Sequence, residues 1–230
     1  MIRFIGFDAD DTLWHNENIF DLAQQRYRAL LARYHDAAEV NRALFATEMR
    51  NLPHYGYGVK GFMLSAVETA IELTKGAISA KEIREIIALG QDMLAHPVDV
   101  LPGVGEVVAA LARDYRLIVI TKGDLRDQER KICLSGLAGH FHAVEILSEK
   151  DGAAYARVLA RHGVTAAEFA MVGNSVKSDI LPVLELGGAG VHIPYHITWQ
   201  HEHAPETHLE HPRFRQVEHI TQLAEVLARL

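Results

Sequence analysis

Five short, mostly apolar runs recur along this chain, at residues 2–7, 116–121, 143–147, 169–172 and 189–193. The runs are rich in β-branched and aromatic side chains, which is typical of strands buried on both faces of a parallel sheet. Stretches with apolar residues three and four positions apart lie at 104–112, 154–159 and 180–186, a spacing that indicates helices. This alternation predicts an α/β fold with a Rossmann-like, doubly wound parallel sheet.

The segment between the first and second strands breaks the alternation. It contains no strand pattern, and its apolar stripes at 19–34, 63–71 and 83–93 have helical spacing, with Ser79 as a candidate N-cap. Two prolines and a glycine within 97–103 indicate the return linker. We therefore predict a core made of residues 1–14 and 98–230, with an inserted all-helical cap at 15–97. The alternative is that these helices extend the core domain.

One stretch of the helical insert has the composition of a binding loop. Residues 51–61 contain three glycines, two tyrosines, a histidine and a lysine. Tyr55, Tyr57 and Lys60 are candidates for contacting an anionic or ring-bearing substrate. An ordinary connection between helices, with aromatic side chains at the surface, explains the same composition equally well.

Composition limits the possible partners and the compartment. With 230 residues and 49% hydrophobic residues the chain can build a real core, and its net charge of −7 argues against an extended nucleic-acid surface. A small anionic substrate stays possible, because a local pocket can be positive. Cys133 is the only cysteine, which excludes an intramolecular disulfide, and we expect it in the core on a helix after the second strand. No run reaches the roughly 18 apolar residues of a membrane span, so we expect a cytoplasmic protein.

Two carboxylates follow directly after the first strand. Asp8 and Asp10 are two residues apart, so in an extended chain their side chains lie on the same side. They are expected where a parallel strand meets its loop, which is the edge at which open α/β sheets bind ligands. Carboxylates at that distance repel each other unless a positive group lies between them, and a hard divalent cation is the usual solution. The alternative is an Asp-rich turn that only caps a helix.

Further polar residues recur near the ends of later strands. Thr121, Lys150 and Asp179 follow one another at intervals of about 30 residues, the length of one βαβ unit, so each is expected at the same sheet edge as Asp8. Taken singly they have ordinary explanations: a capping hydroxyl, a solvated lysine and a carboxylate in the first turn of a helix. Their common position indicates a site.

At these positions the chain resembles the haloacid dehalogenase-like hydrolase superfamily. Residues 8–12 match its first motif, aspartate-any-aspartate-any-threonine after an apolar strand. Thr121, Lys150 and residues 173–179 fit the second, third and fourth motifs. The resemblance spans nearly the whole chain and implies that the helical insert is a cap of the C1 type.

The resemblance also implies a phosphatase mechanism, which agrees with the chemistry that phosphoryl transfer requires. Asp8 is the expected nucleophile, and Asp10 is the expected general acid and then general base. Thr121, Lys122 and Lys150 are expected to hold the phosphoryl group. The expected cofactor is Mg²⁺, with ligands from Asp8, from Asp10 through its backbone carbonyl, and from Asn174 and Asp179.

Two residues depart from the family pattern. Position 11 is Asp where glycine is commonest, and position 174 is Asn where the family usually has a metal-binding aspartate. An amide oxygen is a legitimate ligand for Mg²⁺ but carries no charge. Either Asn174 ligates weakly, or Asp179 moves in or acts through water, and we expect a weaker affinity for Mg²⁺. The acid at Asp10 separates this chain from the dehalogenases of the superfamily, whose halide leaves without a proton.

The predicted function is that of a Mg²⁺-dependent phosphomonoester hydrolase, which acts on a small phosphorylated metabolite through an aspartyl-phosphate. The alternatives are a sugar phosphomutase of the same superfamily and a weakly catalytic phosphate-binding module. We expect a monomer or homodimer that binds neither a nucleic acid polymer nor a membrane. His201 and His203 have a spacing that a transition metal could use, although exposed loop residues or the rim of a pocket are the favoured interpretation.

Overall fold

A computed structural model describes residues 1–203 and 210–230. The chain divides into two compact units. The first comprises Met1–Glu17, Val98–Lys122 and Gln128–Leu230, and the second comprises Asn18–Pro97 and Gly123–Asp127. The short segment 123–127, which we assigned to the core, therefore groups with the helical insert.

The first unit contains a six-stranded sheet in which every pairing is parallel. The strands are β1 (Phe4–Phe7), β2 (Arg116–Lys122), β3 (Ala143–Leu147), β4 (Phe169–Gly173), β5 (Ala189–His192) and β6 (Phe214–Gln216). Their order is β3-β2-β1-β4-β5-β6, which confirms the doubly wound α/β fold and the five predicted strands. The sequence did not predict β6, because this edge strand has three residues and only one of them is apolar.

Nine α-helices lie in the described residues. They are α1 (Glu17–Leu31), α2 (Ala37–Tyr55), α3 (Val59–Leu73), α4 (Ala80–Ala95), α5 (Val104–Leu111), α6 (Leu125–Leu134), α7 (Gly152–His162), α8 (Leu181–Glu185) and α9 (Leu223–Leu227). A π-helical turn at Val176–Ile180 precedes α8. None of these helices is long and apolar enough to span a bilayer.

The central strand β1 is buried on both faces. Ile5 and Phe7 belong to the apolar cluster on one face of the sheet, and Phe4 belongs to the cluster on the other face, as the alternation of side chains along a strand requires. The register pairs Phe7 with Val119 of β2 and with Val172 of β4. The residues that follow β1 therefore emerge between two neighbouring strand ends.

The second unit has its own apolar core, made by the inward stripes of α1 to α4. The residues of this core include Ala23, Tyr27, Leu31, Val40, Leu44, Phe62, Ala66, Ala70, Ile86 and Met93. Ser79 is the N-cap of α4, as predicted. It forms a capping box in which its hydroxyl accepts from the Glu82 amide and the Glu82 carboxylate accepts from the Ser79 amide.

The loop predicted at 51–61 is mostly helical. Helix α2 continues to Tyr55 and α3 begins at Val59, so only residues 56–58 connect them. The prediction missed α2 because two of its buried positions are polar, Thr47 and Asn51, and they interrupt the apolar stripe. Pro53 lies in the last turn, where it does not stop the helix, and the Gly56 amide still bonds the Leu52 carbonyl.

The expectation that Cys133 is a core residue was wrong. The residue lies on a helix after the second strand, as expected, but its side chain is exposed. Helix α6 instead buries Gln128, Lys131 and Ile132, which lie on one face at positions i, i+3 and i+4. Two of these three inward residues are polar, so apolar spacing misidentified the buried face.

Candidate active site

Asp8 lies at the carboxyl end of the central strand. Its amide donates to the Val172 carbonyl of β4 at 2.8 Å, which continues the ladder one residue past Phe7. The side chain is buried, with two different donors on its two oxygens. Lys150 Nζ contacts Oδ1, and the Thr12 hydroxyl donates to Oδ2 at 3.1 Å.

Lys150 joins Asp8 to Asp179. It lies between β3 and α7, next to the α7 N-cap Asp151, and its buried ammonium also donates to Asp179 Oδ1 at 2.7 Å. Burial by itself lowers the pKa of Lys150, but the carboxylates of Asp179 and Asp8 raise it overall. Burial raises the pKa of Asp8, the Lys150 ammonium opposes the rise, and the Asp179 carboxylate adds to it.

Asp179 is brought close to β4 by a glycine and a tight turn. A Cβ added at Gly173 would stand 2.2 Å from Asp179 Oδ2, so this position has no room for a side chain. The same Oδ2 accepts from the Ser175 amide at 3.0 Å. The glycine of the fourth motif therefore lets the carboxylate fold back over the end of its own strand.

Asn174 shares a hydrogen-bonding partner with Asp8. The Thr12 hydroxyl lies 3.4 Å from Asn174 Oδ1 and 3.1 Å from Asp8 Oδ2, so two oxygen ligands converge on one point. Among the described residues no group of three or more His, Cys, Asp or Glu side chains is arranged to hold a metal. A cation here would need a mixed set of hard oxygen donors, namely carboxylate, amide and main-chain carbonyl. That donor chemistry fits Mg²⁺.

The backbone conformation at Asp11 is one that favours glycine. Its φ is +64°, in the left-handed region that glycine adopts freely and that Asp tolerates better than most residues. Its carboxylate accepts from the Asn16 amide at 2.8 Å and from the Glu17 amide at 3.1 Å. Burial raises the pKa of Asp11 to about 8. Asp11 thus adopts the backbone geometry that glycine favours, and its side chain caps the start of α1.

Three donors that we did not predict from the sequence hold the Asp10 carboxylate. Trp14 Nε1 and Lys131 Nζ each lie 2.7 Å from Oδ1, and Gln128 Nε2 lies 2.8 Å from Oδ2. Lys131 also donates to Asn16 Oδ1 at 3.2 Å. These donors could have been recognised only by the spacing of Gln128 and Lys131, three residues apart on the helix that follows β2.

Thr121 is buried near the end of β2. Its hydroxyl donates to the Lys122 carbonyl at 3.2 Å and accepts from Gln128 Nε2 at 3.2 Å. Gln128 therefore contacts the residue predicted to hold the phosphoryl group and the predicted general acid. In the first unit, as far as the structure describes it, hydrogen bonds thus link Asp10 through Gln128 to the end of β2.

Glu202 is a second residue that sequence reasoning missed. Its Oε1 accepts from Lys122 Nζ at 2.7 Å, and its Oε2 accepts from the hydroxyls of Ser175 and Ser178, both at 2.6 Å. Burial alone would raise the pKa of Glu202, but the Lys122 ammonium and the hydrogen bonds lower it to about 2. Lys122, a predicted substrate-binding residue, is thus ion-paired. A lone glutamate in the short 3₁₀ helix Gln200–Glu202 carries no pattern that would have indicated this contact.

Three of the remaining candidates belong to the second unit. They are Tyr55, Tyr57 and Lys60, and the Lys60 amide and ammonium contact the Asp124 carboxylate at 3.2 and 3.3 Å. Their role in substrate binding stays a prediction. The His201 carbonyl accepts from Lys177, and the His203 ring contacts the Thr198 carbonyl.

Comparisons with known proteins agree with this arrangement. The family model described as haloacid dehalogenase-like hydrolase matches residues 2–187. N-acylneuraminate-9-phosphatase of Rattus norvegicus is 23% identical over 202 residues, which are 81% of this chain and 79% of the rat protein. A solved haloacid dehalogenase-like family hydrolase from Xanthomonas campestris is 44% identical with a TM-score of 0.89, over 99% of this chain and 91% of that one.

A 2-haloacid dehalogenase from Pseudomonas syringae pv. Tomato is 23% identical with a TM-score of 0.65, over 100% of this chain and 99% of that one. At that identity the likeness extends to the fold alone. The match over residues 2–187, and the Xanthomonas structure over nearly the whole chain, decide the family. The chain belongs to the haloacid dehalogenase-like hydrolases.

Proposed function

We propose that the protein is a Mg²⁺-dependent phosphomonoester hydrolase that acts on a small phosphorylated metabolite through an aspartyl-phosphate on Asp8. The observation that carries this proposal is the different surroundings of two carboxylates at the end of β1. Asp8 is paired with the buried Lys150, whereas Asp10 has a separate set of three donors. Two carboxylates in distinct environments are suited to two different roles.

In the first step a carboxylate oxygen of Asp8 attacks phosphorus. The bond from phosphorus to the leaving oxygen breaks, and that oxygen takes a proton from Asp10. The Thr121 hydroxyl and the Lys150 ammonium are placed at neighbouring strand ends, where they can hold the phosphoryl oxygens. Lys150 also orients the nucleophile through its contact with Oδ1.

In the second step the Asp10 carboxylate takes a proton from water. The water oxygen attacks phosphorus, the bond between phosphorus and Asp8 breaks, and inorganic phosphate leaves. Asp8 returns as a carboxylate and Asp10 returns protonated, ready for the next substrate. The same residue is thus acid and base in turn.

Asp8, Asn174, the main-chain carbonyl of Asp10 and, directly or through water, Asp179 are the residues that would hold Mg²⁺. When bound, the ion supplies positive charge that neutralises the phosphoryl oxygens. Lys150 already offsets one of the two carboxylate charges of Asp8 and Asp179, and Asn174 adds none. We therefore expect a modest affinity for the ion.

The relatives support the phosphatase assignment to different degrees. The rat relative is by name a phosphatase, and Asp10 supplies the proton that an alkoxide leaving group requires. A halide needs no such proton, so an acid at this position favours phosphoryl chemistry over dehalogenation. The identity of the metabolite is left to experiment.

The test is phosphate release from a panel of phosphomonoesters, with and without Mg²⁺, for the native chain and for Asp8→Asn. We expect metal-dependent release that Asp8→Asn abolishes, with the variant's circular dichroism unchanged. Release that survives Asp8→Asn would overturn the proposal, as would chloride release from 2-chloropropionate in the absence of phosphatase activity. Interconversion of sugar phosphates without net release would instead support a phosphomutase.

The second candidate is a phosphate-binding module with little turnover. The neutral amide of Asn174, at a position where a carboxylate is usual, favours it. A folded native chain that binds inorganic phosphate in calorimetry but releases none from the panel would support this candidate. Activity gained by Asn174→Asp would then show that the rest of the machinery is intact.

A further inference from the structure

Asp10 is held far more tightly than a residue at the end of a strand requires. Its Oδ1 accepts from Trp14 and Lys131, and its Oδ2 accepts from Gln128. Trp14 is itself locked in place, because it is fully buried and its carbonyl accepts from the Asp11 amide at 2.8 Å. The carboxylate therefore has both oxygens engaged, and its rotation about the side-chain bonds is fixed.

The two donors from α6 are buried polar side chains. Apolar residues at these positions would bury without the free energy cost of removing a polar group from water. Gln128 and Lys131 are both less than a tenth exposed, and a buried ammonium is costly unless it is paired. Lys131 is paired with Asp10 at 2.7 Å, with 24% of the Asp10 side chain exposed. Two of the three inward residues of α6 thus contact one carboxylate, whereas the third, Ile132, packs in the core.

The orientation of the Gln128 amide is dictated by the same contact. Its nitrogen lies 2.8 Å from Asp10 Oδ2 and 2.6 Å from the Lys122 carbonyl oxygen. If the amide were turned over, its own oxygen would face these two acceptor oxygens. Within the part of the chain that the structure describes, its Oε1 is buried without a hydrogen-bonding partner, which is unfavourable. The Gln128 nitrogen thus stays bonded to Asp10 and Thr121 although the Gln128 oxygen gains no partner among the described residues. This indicates a functional constraint on Gln128.

We propose that Lys131 and Gln128 are positioning residues that act through Asp10 and hold its carboxylate where it exchanges a proton with the leaving group and with water. This inference rests on the proposed function. Lys131 donates to Asp10 and Asn16, whereas Gln128 also donates to Thr121 and to the Lys122 carbonyl. Lys131 is therefore the better residue for testing an effect on turnover that passes through Asp10. Its substitution should lower kcat and leave KM nearly unchanged.

The decisive experiment is a double-mutant cycle with Lys131→Met, Asp10→Asn and the combination. Alone, Asp10→Asn is expected to lower kcat about 100-fold or more and Lys131→Met about tenfold or more. In the Asp10→Asn background Lys131→Met should have no further effect, because its target is already gone. Equal losses in both backgrounds would overturn the inference, because a general structural role gives additive effects.

Leaving groups provide an independent reading of the same variants. An alkoxide needs the proton from Asp10, whereas p-nitrophenolate leaves without one. The loss of kcat/KM in Lys131→Met should therefore be larger for an alkyl phosphate than for p-nitrophenyl phosphate. An equal loss for both substrates would count against the inference.

Matched variants separate positioning from folding. Lys131→Arg retains the cation and should recover part of the kcat lost in Lys131→Met, and Gln128→Leu should resemble Lys131→Met. Arg126→Met changes an exposed cation on the same helix and should leave kcat unchanged. If Asp8→Asn fails to abolish phosphate release, the proposed function fails. If Asp8→Asn abolishes release and the cycle is additive, only this inference fails.

Discussion

Three lysines and four carboxylates meet at the carboxyl end of the sheet, within the part of the chain that the structure describes. Lys150 pairs with Asp8 and Asp179, Lys131 with Asp10, and Lys122 with Glu202. When all seven groups are ionised the cluster carries one net negative charge. Asp10 and Glu202 thus each have their own lysine, whereas Asp8 and Asp179 share Lys150.

Under the proposed function, Asn174 is the residue that we expect to set the affinity for Mg²⁺. Asn174→Asp adds a charged oxygen beside Asp8 Oδ2, so we expect the Mg²⁺ concentration for half-maximal activity to fall about tenfold. The measurement is phosphate release titrated with Mg²⁺, with Asn174→Ala as the matched variant that removes the oxygen and should raise this concentration. A native enzyme already saturated at low micromolar Mg²⁺ would contradict the expectation of weak binding.

Glu202 gives a pH dependence of known sign. Its pKa is about 2 in the folded chain against an ordinary value of 4.5, so folding favours the carboxylate. The corresponding stabilisation is about 3 kcal/mol. It is fully present above pH 4.5 and is lost as the pH falls through 2.

Denaturant unfolding of the native chain and of the Glu202→Gln variant, measured between pH 7 and pH 3, tests this loss of stabilisation at low pH. The difference in the free energy of unfolding should be largest at pH 7 and should shrink steadily below pH 4.5. Glu129→Gln, an exposed glutamate on α6, serves as the control for a simple change of charge. A difference for Glu202→Gln that stays constant down to pH 3 would rule out the ionic role of this side chain.

Among the helices and strands, the turn after β4 depends on a single missing side chain. Gly173→Ala would drive a Cβ to within 2.2 Å of Asp179 Oδ2, which forces the carboxylate away from Lys150. Under the proposed function, we expect phosphate release to fall at least tenfold while the chain still folds. Kinetics together with thermal unfolding measure both effects.

Gly105→Ala is the matched control, because its added Cβ meets nothing within 4 Å in helix α5. Replacing glycine by alanine inside a helix should raise stability by about 0.5–1 kcal/mol and leave activity as it is. Native activity in Gly173→Ala would show that Asp179 does not need its observed position.

Element prediction depended on apolar spacing, and buried polar residues hid helix α2 and the inward face of α6. Strands β1, β2, β4 and β5 and helices α1 and α3 bury mostly apolar residues, so their periodicity reports burial directly. Helix α2 buries Thr47 and Asn51, and α6 buries Gln128 and Lys131. On these helices hydrogen bonds satisfy the inward residues, and a hydrophobicity pattern does not register such partners.

The parallel sheet as a whole predicts an order of local stability. All residues of β1 and β4 are buried, and both strands are paired on each side, whereas β6 is a partly exposed edge strand of three residues. Hydrogen–deuterium exchange followed by mass spectrometry should therefore find the slowest amides in β1 and β4 and much faster exchange in β6. Exchange in β6 as slow as in β1 would contradict this order.

The sequence alone was enough to assign five of the six strands, the helical insert and the motif residues. Apolar runs report burial, and the length of a βαβ unit brings Thr121, Lys150 and Asp179 to the same edge as Asp8 without any knowledge of their contacts. The left-handed backbone at Asp11 and the close approach at Gly173 agree with residue preferences that are visible in the motifs.

Which side chains pair across the site became visible only in three dimensions. Gln128 and Lys131 lie 118 and 121 residues from Asp10, and Lys122 lies 80 residues from Glu202. Such contacts depend on the rotation of α6 about its axis and on the path of the loop after β5. Neither follows from local periodicity, because both are set by how the whole sheet packs. Folding therefore decided how Asp10 is held, and the motif decided only that it is there.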